Sequence, residues 1–143
     1  GPRVFAHFMS ALLAGGPMFL VNGGEVHRCF THIADAVEAL RIVIDHPAAR
    51  NEIFNVGHPG NDISIRDFAL LMQSVYAELT GESGTRKLVT ITGDEFYGEG
   101  YDDMNRVPPR IDKLRALGWE PKLDLRTAVR DAMAYYLAEV GKL

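Results

Sequence analysis

An Asn-Gly-Gly turn between two short apolar runs is the strongest constraint on the fold of this chain. The turn, at residues 22–24, separates Met18–Val21 from Val26–Phe30. Two adjacent glycines accept the positive φ angles that tight hairpin turns require, so the pattern predicts a β-hairpin. Its second strand carries Arg28. A planar guanidinium on a rigid strand suits a phosphate or carboxylate ligand, although an ordinary solvated surface arginine explains the same residue.

Composition and charge exclude several classes of protein. The chain has 143 residues, enough for one domain with a real core, and a net charge of -4 without any run of Lys or Arg, which argues against a nucleic-acid partner. No apolar stretch reaches the ~18 residues that a membrane span needs. Cys29 is the single cysteine, so no intramolecular disulfide can form. Together with the lack of a signal-peptide pattern at the N-terminus, this predicts a cytoplasmic location.

Hydrophobic periodicity predicts an α/β or α+β chain of helices joined by a few short strands. The expected helices are 4–14, 32–46 (capped by Thr31), 65–79 (capped by Ser64), 110–117 and 125–140, and the expected strands outside the hairpin are 52–57 and 87–92. The second helix has a predicted core stripe of Ile33, Val37, Leu40 and Ile44, and the last helix one of Leu125, Val129, Met133, Tyr136 and Val140. So few strands cannot cover all these apolar faces. We therefore expect part of the apolar surface to pack on structure outside this chain.

The chain lacks the usual signatures of metal and cofactor sites. Its five histidines are scattered, and adjacent side chains such as those of Asp102 and Asp103 diverge in extended backbone, so we expect no metal site. There is no Gly-rich phosphate or dinucleotide turn and no nucleophile elbow. The richest cluster is the irregular loop 93–109, which contains Tyr97, Tyr101 and Arg106. Tyrosine and arginine suit a base, a sugar or an anion, but tyrosines that simply tether a surface loop explain the cluster as well.

Four stretches agree in order and spacing with a known family. They are residues 22–31 with Ile33, Asp35 and Glu38–Leu40; Ile53–Gly57; Tyr97–Asp103; and Trp119–Lys122. Together they resemble the UDP-glucuronic acid decarboxylase domain of aminoarabinose synthesis (ArnA type), an extended short-chain dehydrogenase of the NAD-dependent epimerase/dehydratase family. The Arg-Cys-Phe-Thr run with the Tyr-Gly-x-Gly-Tyr loop is the more specific part of this match.

The resemblance implies an architecture and a reaction. Residues 1–143 would be a single C-terminal substrate-binding lobe of an extended short-chain dehydrogenase (Rossmann-type) α/β fold, from which the NAD-binding half is absent. The parent enzyme would oxidise C4 of UDP-glucuronate with NAD and release CO2, which leaves UDP-4-keto-pentose for lipid A modification and polymyxin resistance. The resemblance further implies a homo-oligomeric parent, and it places no cofactor-binding residue in this chain.

The resemblance also implies roles for individual residues. The catalytic residue is Arg106, as proton donor or, because guanidinium barely deprotonates in proteins, as the group that holds the carboxylate or orients a water. Arg28 and Arg3 would contact the diphosphate, and Tyr101 the nucleotide. The uracil side would be lined by Phe19, Leu20 and Val21, with Phe19 replacing a lysine of the family. Two alternatives stay open: a nucleotide-sugar epimerase or 4,6-dehydratase, and a non-catalytic binding module, which the missing cofactor site favours.

Overall fold

A computed structural model describes residues 3–100 and 107–143. Within these residues the fold is a mixed α/β arrangement in which helices pack around two small sheets. The helices are α1 (Val4–Ala14), α2 (Ile33–Asp45), α3 (Ile65–Thr80), α4 (Gly93–Tyr97), α5 (Asp112–Ala116) and α6 (Leu125–Glu139), and the strands are β1 (Met18–Val21), β2 (His27–Cys29), β3 (Asp62–Ser64) and β4 (Leu88–Ile91). The predicted fold class, helices with a few short strands, is confirmed.

The predicted hairpin is wrong. β1 pairs in parallel with β4, from Met18 opposite Leu88 to Val21 opposite Ile91, whereas β2 pairs antiparallel with β3. The residues between them, Asn22–Gly24, form a turn of 3-10 helix that carries the chain from one sheet to the other. All three have positive φ (48°, 81° and 73°), one residue more than a two-residue hairpin turn uses. The glycines thus have the predicted positive φ, but the strands they join pair with segments far away in the sequence.

The main core lies between α1, α3, α6 and β1. Its largest members are Phe8, Met9, Leu12, Met18, Leu20, Phe68, Met72, Tyr76 and Met133. α1 buries Phe8, Met9 and Leu12, and α3 buries Phe68, Met72 and Val75. Ser64 caps α3 as predicted, by accepting a hydrogen bond from the Asp67 N–H at 3.0 Å. On α6, Val129 and Met133 are buried as predicted, but Leu137 completes the stripe and Tyr136 and Val140 stay exposed. The spacing of four residues keeps Leu137 on the core side.

A second cluster forms around Trp119 and packs on one side of α2. Ala39, Ile111, Leu114 and Trp119 are buried together, with Phe54 packed against them. These contacts bury the side of α2 that carries Ala39, which is opposite the predicted stripe of Ile33, Val37, Leu40 and Ile44.

The predicted stripe of α2 is consequently exposed, and this prediction is wrong for the described residues. The N-cap of α2 is His32, whose Nδ1 accepts from the Ala34 N–H. Thr31, the predicted cap, instead accepts a hydrogen bond from the His58 N–H on its hydroxyl at 3.0 Å.

Two further expectations need correction. The segment 52–57, expected as a buried strand, pairs with no strand among the described residues, and Ile53 is exposed. The loop that begins at residue 93 instead opens with a short helix, α4, which has a capping box. The Thr92 hydroxyl accepts from the Glu95 N–H, and the Glu95 carboxylate accepts from the Thr92 N–H. Thr92-Gly-Asp-Glu95 is a recognisable capping-box sequence, so this helix was predictable.

In the described part of the chain, no helix combines the length and the apolar character that crossing a membrane would take.

Candidate functional site

The two segments with most of the candidate residues meet at one edge of the parallel sheet. β1 and β4 run in the same direction and end opposite each other, at Val21 and Ile91. From β1 the chain turns into β2, which carries Arg28; from β4 it passes into α4 and then towards residues 101–106. Ligands of α/β proteins bind beyond the carboxyl ends of parallel strands. This edge is therefore the candidate binding site.

A cluster of aromatic rings extends from β1 to α4 beside this edge. The His7 and Phe19 rings stack with centroids 5.9 Å apart, and the Phe96 ring meets His7 edge-on at 5.2 Å. Tyr97 continues the cluster, with its ring centroid 4.7 Å from that of Phe96. Phe19 is half-buried and Tyr97 exposed. The cluster is thus anchored in α1 and reaches solvent at its outer end, as a stacking surface for a planar ligand would.

His7 fixes the main chain of β1 as well as the ring of Phe19. The Phe19 N–H donates to Nε2 of His7 at 3.2 Å, which requires a neutral imidazole with its proton on Nδ1. Burial lowers the pKa of His7, and this favours the neutral form. Sequence reasoning missed both His7 and Phe96, because their contacts join three separate elements and no local motif signals them.

Arg28 occupies the middle of β2, opposite Ile63, and is half-buried. Its Nη1 donates to the His27 carbonyl at 2.7 Å, which directs the guanidinium back along its own strand. On either side of it, His27 Nδ1 and the Cys29 thiol both approach the Asp62 carboxylate, at 2.9 and 3.7 Å. Burial, and then the Asp62 charge, raise the pKa of the Cys29 thiol. Cys29 is accordingly a poor nucleophile, which agrees with a structural role.

The remaining predicted site residues have different positions. Arg3 precedes α1, is exposed, and accepts the His7 N–H on its carbonyl at 3.0 Å. The Leu20 side chain is fully buried in the core, so any ligand contact of Leu20 uses its main chain. Val21 is half-buried at the end of β1. Tyr101 and Arg106 lie outside the described residues. The structure therefore brings Phe19 and Val21 to the sheet edge, with Arg28 one turn further along the chain.

No metal centre forms within residues 3–100 and 107–143, where no group of three or more His, Cys, Asp or Glu side chains could hold an ion. A separate apolar groove of about 650 Å³ lies between α1, α3 and α6. Phe5, Phe30 and Tyr135 line it, and a contact of 3.4 Å between His32 and Asp131 lies at its wall. Among the described residues, none of those predicted to bind substrate borders this groove.

Comparison with known proteins finds similarity to one family over part of the chain and to individual enzymes over most of it. Residues 1–57 match the NAD dependent epimerase/dehydratase family. The chain is 40% identical over 137 residues to a UDP-D-apiose/UDP-D-xylose synthase of Oryza sativa subsp. japonica, a match that covers 94% of this chain and 34% of the synthase. The predicted similarity to this family is confirmed over residues 1–57.

Solved structures show the same fold. The PbgP3 protein of Burkholderia pseudomallei is 30% identical, with a TM-score of 0.77 over 97% of this chain and 40% of that one. The UDP-glucose 4-epimerase of Thermotoga maritima is 23% identical, with a TM-score of 0.73 over 96% of this chain and 40% of that one. The chain thus spans about a third of the curated relative's length and two fifths of these solved chains.

Proposed function

We propose that this chain, a homologue of the NAD-dependent epimerase/dehydratase family, is the UDP-sugar-binding part of an NAD-dependent UDP-glucuronate decarboxylase. The observation that carries the proposal is the meeting of two segments at the carboxyl edge of β1 and β4, one leading to Arg28 and the other to Tyr97. A sugar nucleotide needs a fixed cation for its diphosphate and a flat apolar surface for its base. The segment from β1 to β2 supplies Arg28 as the cation, and the ring cluster from Phe19 to Tyr97, which joins both segments through His7, supplies the flat surface.

The name of the plant relative supports decarboxylation in particular. Apiose and xylose are five-carbon sugars, and a six-carbon uronic acid becomes a five-carbon sugar when it loses its carboxylate as CO2. A synthase of UDP-linked pentoses that is 40% identical to this chain therefore favours UDP-glucuronate as the substrate over a neutral hexose. An epimerase or a 4,6-dehydratase keeps all six carbons and remains the alternative class.

In the proposed complex, each candidate residue has a distinct task. Arg28 and Arg3 neutralise the diphosphate, and the Phe19 ring packs against uracil, held in place by His7. The main chain of Leu20 and Val21 borders the base, and Tyr101 approaches the nucleotide. Phenylalanine at position 19 offers stacking where the resembled family has a lysine, so uracil would be held by its face more than by a polar contact.

NAD would be bound by the rest of the parent protein. The sequence contains no Gly-x-Gly-x-x-Gly turn between a strand and a helix, which is the element that receives a dinucleotide pyrophosphate. The turn after β1 leads into another strand, so it offers no helix N-terminus to a phosphate. We accordingly assign no cofactor-binding residue to this chain and expect it to be inactive alone.

The proposed reaction oxidises C4 of the glucuronate and then releases its C6 carboxylate as CO2, leaving UDP-4-keto-pentose. The C4 carbonyl accepts the electron pair of the breaking carbon–carbon bond, and the resulting enolate must then be protonated. We assign Arg106 to this step: its guanidinium holds the carboxylate or orients the water that supplies the proton, because it does not itself deprotonate at neutral pH.

The fate of the product separates two versions of this function. The sequence resemblance favours release of the 4-keto-pentose towards aminoarabinose and lipid A modification, in a cytoplasmic homo-oligomer. The identity to the plant synthase favours a second candidate, in which the keto sugar is reduced again and leaves as a UDP-pentose.

The test uses the full-length protein that contains this chain, with UDP-glucuronate and NAD+. We expect CO2 release, and NMR of the product then distinguishes the 4-keto sugar from a pentose. A six-carbon product without CO2 would replace the decarboxylase with an epimerase or a dehydratase. The 143-residue chain alone serves as the control and should release no CO2.

A further inference from the structure

The His7 ring contacts two aromatic residues that belong to different segments of the candidate site. It stacks with Phe19 of β1, with centroids 5.9 Å apart and the rings 26° from parallel. It also meets Phe96 of α4 edge-on, at 5.2 Å and 74°. Offset stacking and edge contact are the two arrangements that aromatic pairs favour. A shift of either neighbour must therefore move the imidazole or break a favourable contact.

The imidazole of His7 is held in one orientation. Its Nε2 accepts the hydrogen bond from the Phe19 N–H, so the ring cannot turn without losing that bond. Its backbone belongs to α1, where the next two residues, Phe8 and Met9, are fully buried in the core. Close-packed cores move little. His7 is thus a rigid link between the Phe19 ring and the Phe96 ring.

α4 is in turn joined to the start of the segment that contains Arg106. The Asp94 carbonyl accepts from the Gly98 N–H at 2.9 Å, and the Asp94 carboxylate accepts from the Gly100 N–H at 3.1 Å. Gly100 is the last described residue before positions 101–106. A continuous series of contacts therefore connects the Phe19 ring, through His7 and α4, to Gly100.

We propose that His7 is a positioning residue that couples a base bound at Phe19 to α4 and to the chain that leads into Arg106. A uracil packed against Phe19 fixes that ring and, through His7, also Phe96. Such coupling is reciprocal, so an α4 held in place favours the Phe19 position that receives the base. The inference deepens the proposed function and rests on it for the identity of the ligand.

The affinity of the full-length protein for UDP tests this coupling without any turnover. Phe96→Leu removes the ring edge from His7 and should weaken UDP binding by roughly 2-fold to 10-fold, the size of one aromatic contact. Phe96→Tyr keeps the ring and should restore the affinity. Phe5→Leu is the matched control, because Phe5 is also half-buried but lines the separate apolar groove, and it should leave UDP binding unchanged. Unchanged affinity in Phe96→Leu would overturn the proposal.

A double-mutant cycle, measured by isothermal titration calorimetry, shows whether the effect of Phe96 passes through His7. His7→Gln keeps an acceptor for the Phe19 N–H but has no ring to meet Phe96. In the His7→Gln protein, Phe96→Leu should therefore weaken UDP binding little further. If the two factors instead multiply, Phe96 acts on UDP independently of His7 and the proposal is wrong.

Steady-state kinetics with UDP-glucuronate and NAD+ distinguish this coupling from a role in base binding alone. Because His7 is proposed to position the chain that leads into Arg106, His7→Gln and Phe96→Leu should each lower kcat for CO2 release as well as raise KM. A raised KM with normal kcat would confine His7 to the base and contradict the coupling. Interdependent effects on UDP affinity in a protein that releases no CO2 would leave the coupling of Phe19 to α4 standing and overturn only the decarboxylase.

Discussion

The main-chain N–H of Phe19 donates to Nε2 of His7 at 3.2 Å, and the rings of the same two residues stack at 5.9 Å. One histidine on α1 thereby fixes both the backbone and the side chain of the β1 residue that we assign to the uracil side. The contact works only with a neutral imidazole, because protonated Nε2 has no lone pair to accept with. The position of the proposed base platform is therefore coupled to the charge of His7.

This coupling predicts a loss of stability in mildly acidic solution. Burial holds the pKa of folded His7 below its ordinary value of 6.5, so the unfolded chain takes up a proton first as the pH falls. The contribution of neutral His7 to the unfolding free energy is complete above pH 6.5 and is lost as the pH falls through the folded pKa. Urea unfolding at pH 7.5 and 5.5 should show the difference. Carboxylates such as Glu52, with pKa values below 4.5, titrate below this window.

The control is His7→Gln, which keeps an acceptor for the Phe19 N–H but does not titrate. Its unfolding free energy should depend less on pH between 5.5 and 7.5 than that of the unsubstituted chain. If both proteins lose the same free energy over this interval, His7 is not the group responsible.

The local sequence pattern was sufficient to predict an element that has one apolar face. It was insufficient to predict which strands pair when the partners are far apart in the sequence. α1 and α3 were predictable because each buries a single stripe, whereas α2 is apolar on both sides and periodicity selected the exposed one. The glycines of the 22–24 turn correctly predicted positive φ. The partner of β1, however, is β4, and no pattern within a few residues of the turn carries that information.

The residues of the candidate site also fall into two groups, those that a local sequence pattern predicts and those that it does not. Arg28 and Phe19 could be named from motifs, because a resemblance assigns roles to positions in a linear pattern. His7 and Phe96 could not, since each matters only through a ring contact that joins elements separated along the chain. Sequence reasoning thus identifies residues that would touch a ligand more readily than residues that hold them in place.

Arg28→Ala should weaken UDP-glucuronate binding by about 1–3 kcal/mol, the range for a lost charge-assisted contact. Isothermal titration calorimetry on the full-length protein measures it. Arg130→Ala is the matched control, because Arg130 is an exposed arginine on α6 within 3.5 Å of Glu78 and away from the sheet edge. Affinity that is unchanged by Arg28→Ala would remove this residue from the proposed site.

Arg106→Ala should chiefly lower kcat for CO2 release, because the proposed contact to the departing carboxylate or the proton-donating water matters most in the transition state. Steady-state kinetics of the full-length protein with UDP-glucuronate separate the two parameters. Arg106→Lys keeps the positive charge without the planar fork, so its kcat should lie between that of the unsubstituted protein and that of Arg106→Ala. A raised KM with normal kcat would make Arg106 a binding residue only.

Asp35 holds the Trp119–Leu123 corner against α2, and its removal should cost about 2–4 kcal/mol of unfolding free energy. The buried carboxylate accepts from the Lys122 N–H at 3.1 Å and the Leu123 N–H at 3.0 Å. Asp35→Ala leaves both donors without this acceptor. Urea denaturation measures the loss, with Asp45→Ala at the exposed end of the same helix as the control. Equal effects of the two substitutions would contradict the assigned role.

Gly24→Ala should destabilise the chain more than Gly23→Ala, although both glycines have positive φ. The strain of left-handed backbone is common to the two substitutions and costs about 1–2 kcal/mol in each. A Cβ at Gly24 would also lie 2.9 Å from the Arg66 main-chain nitrogen, whereas at Gly23 the nearest atom is a Glu25 side-chain oxygen at 3.8 Å. Backbone at the start of α3 cannot yield as a flexible side chain can, so we expect an additional ~1–3 kcal/mol at Gly24. Urea unfolding of the two variants gives this difference. Equal destabilisation would mean that the turn tolerates a shift against α3, and that β2 with Arg28 is held in place by its pairing with β3 alone.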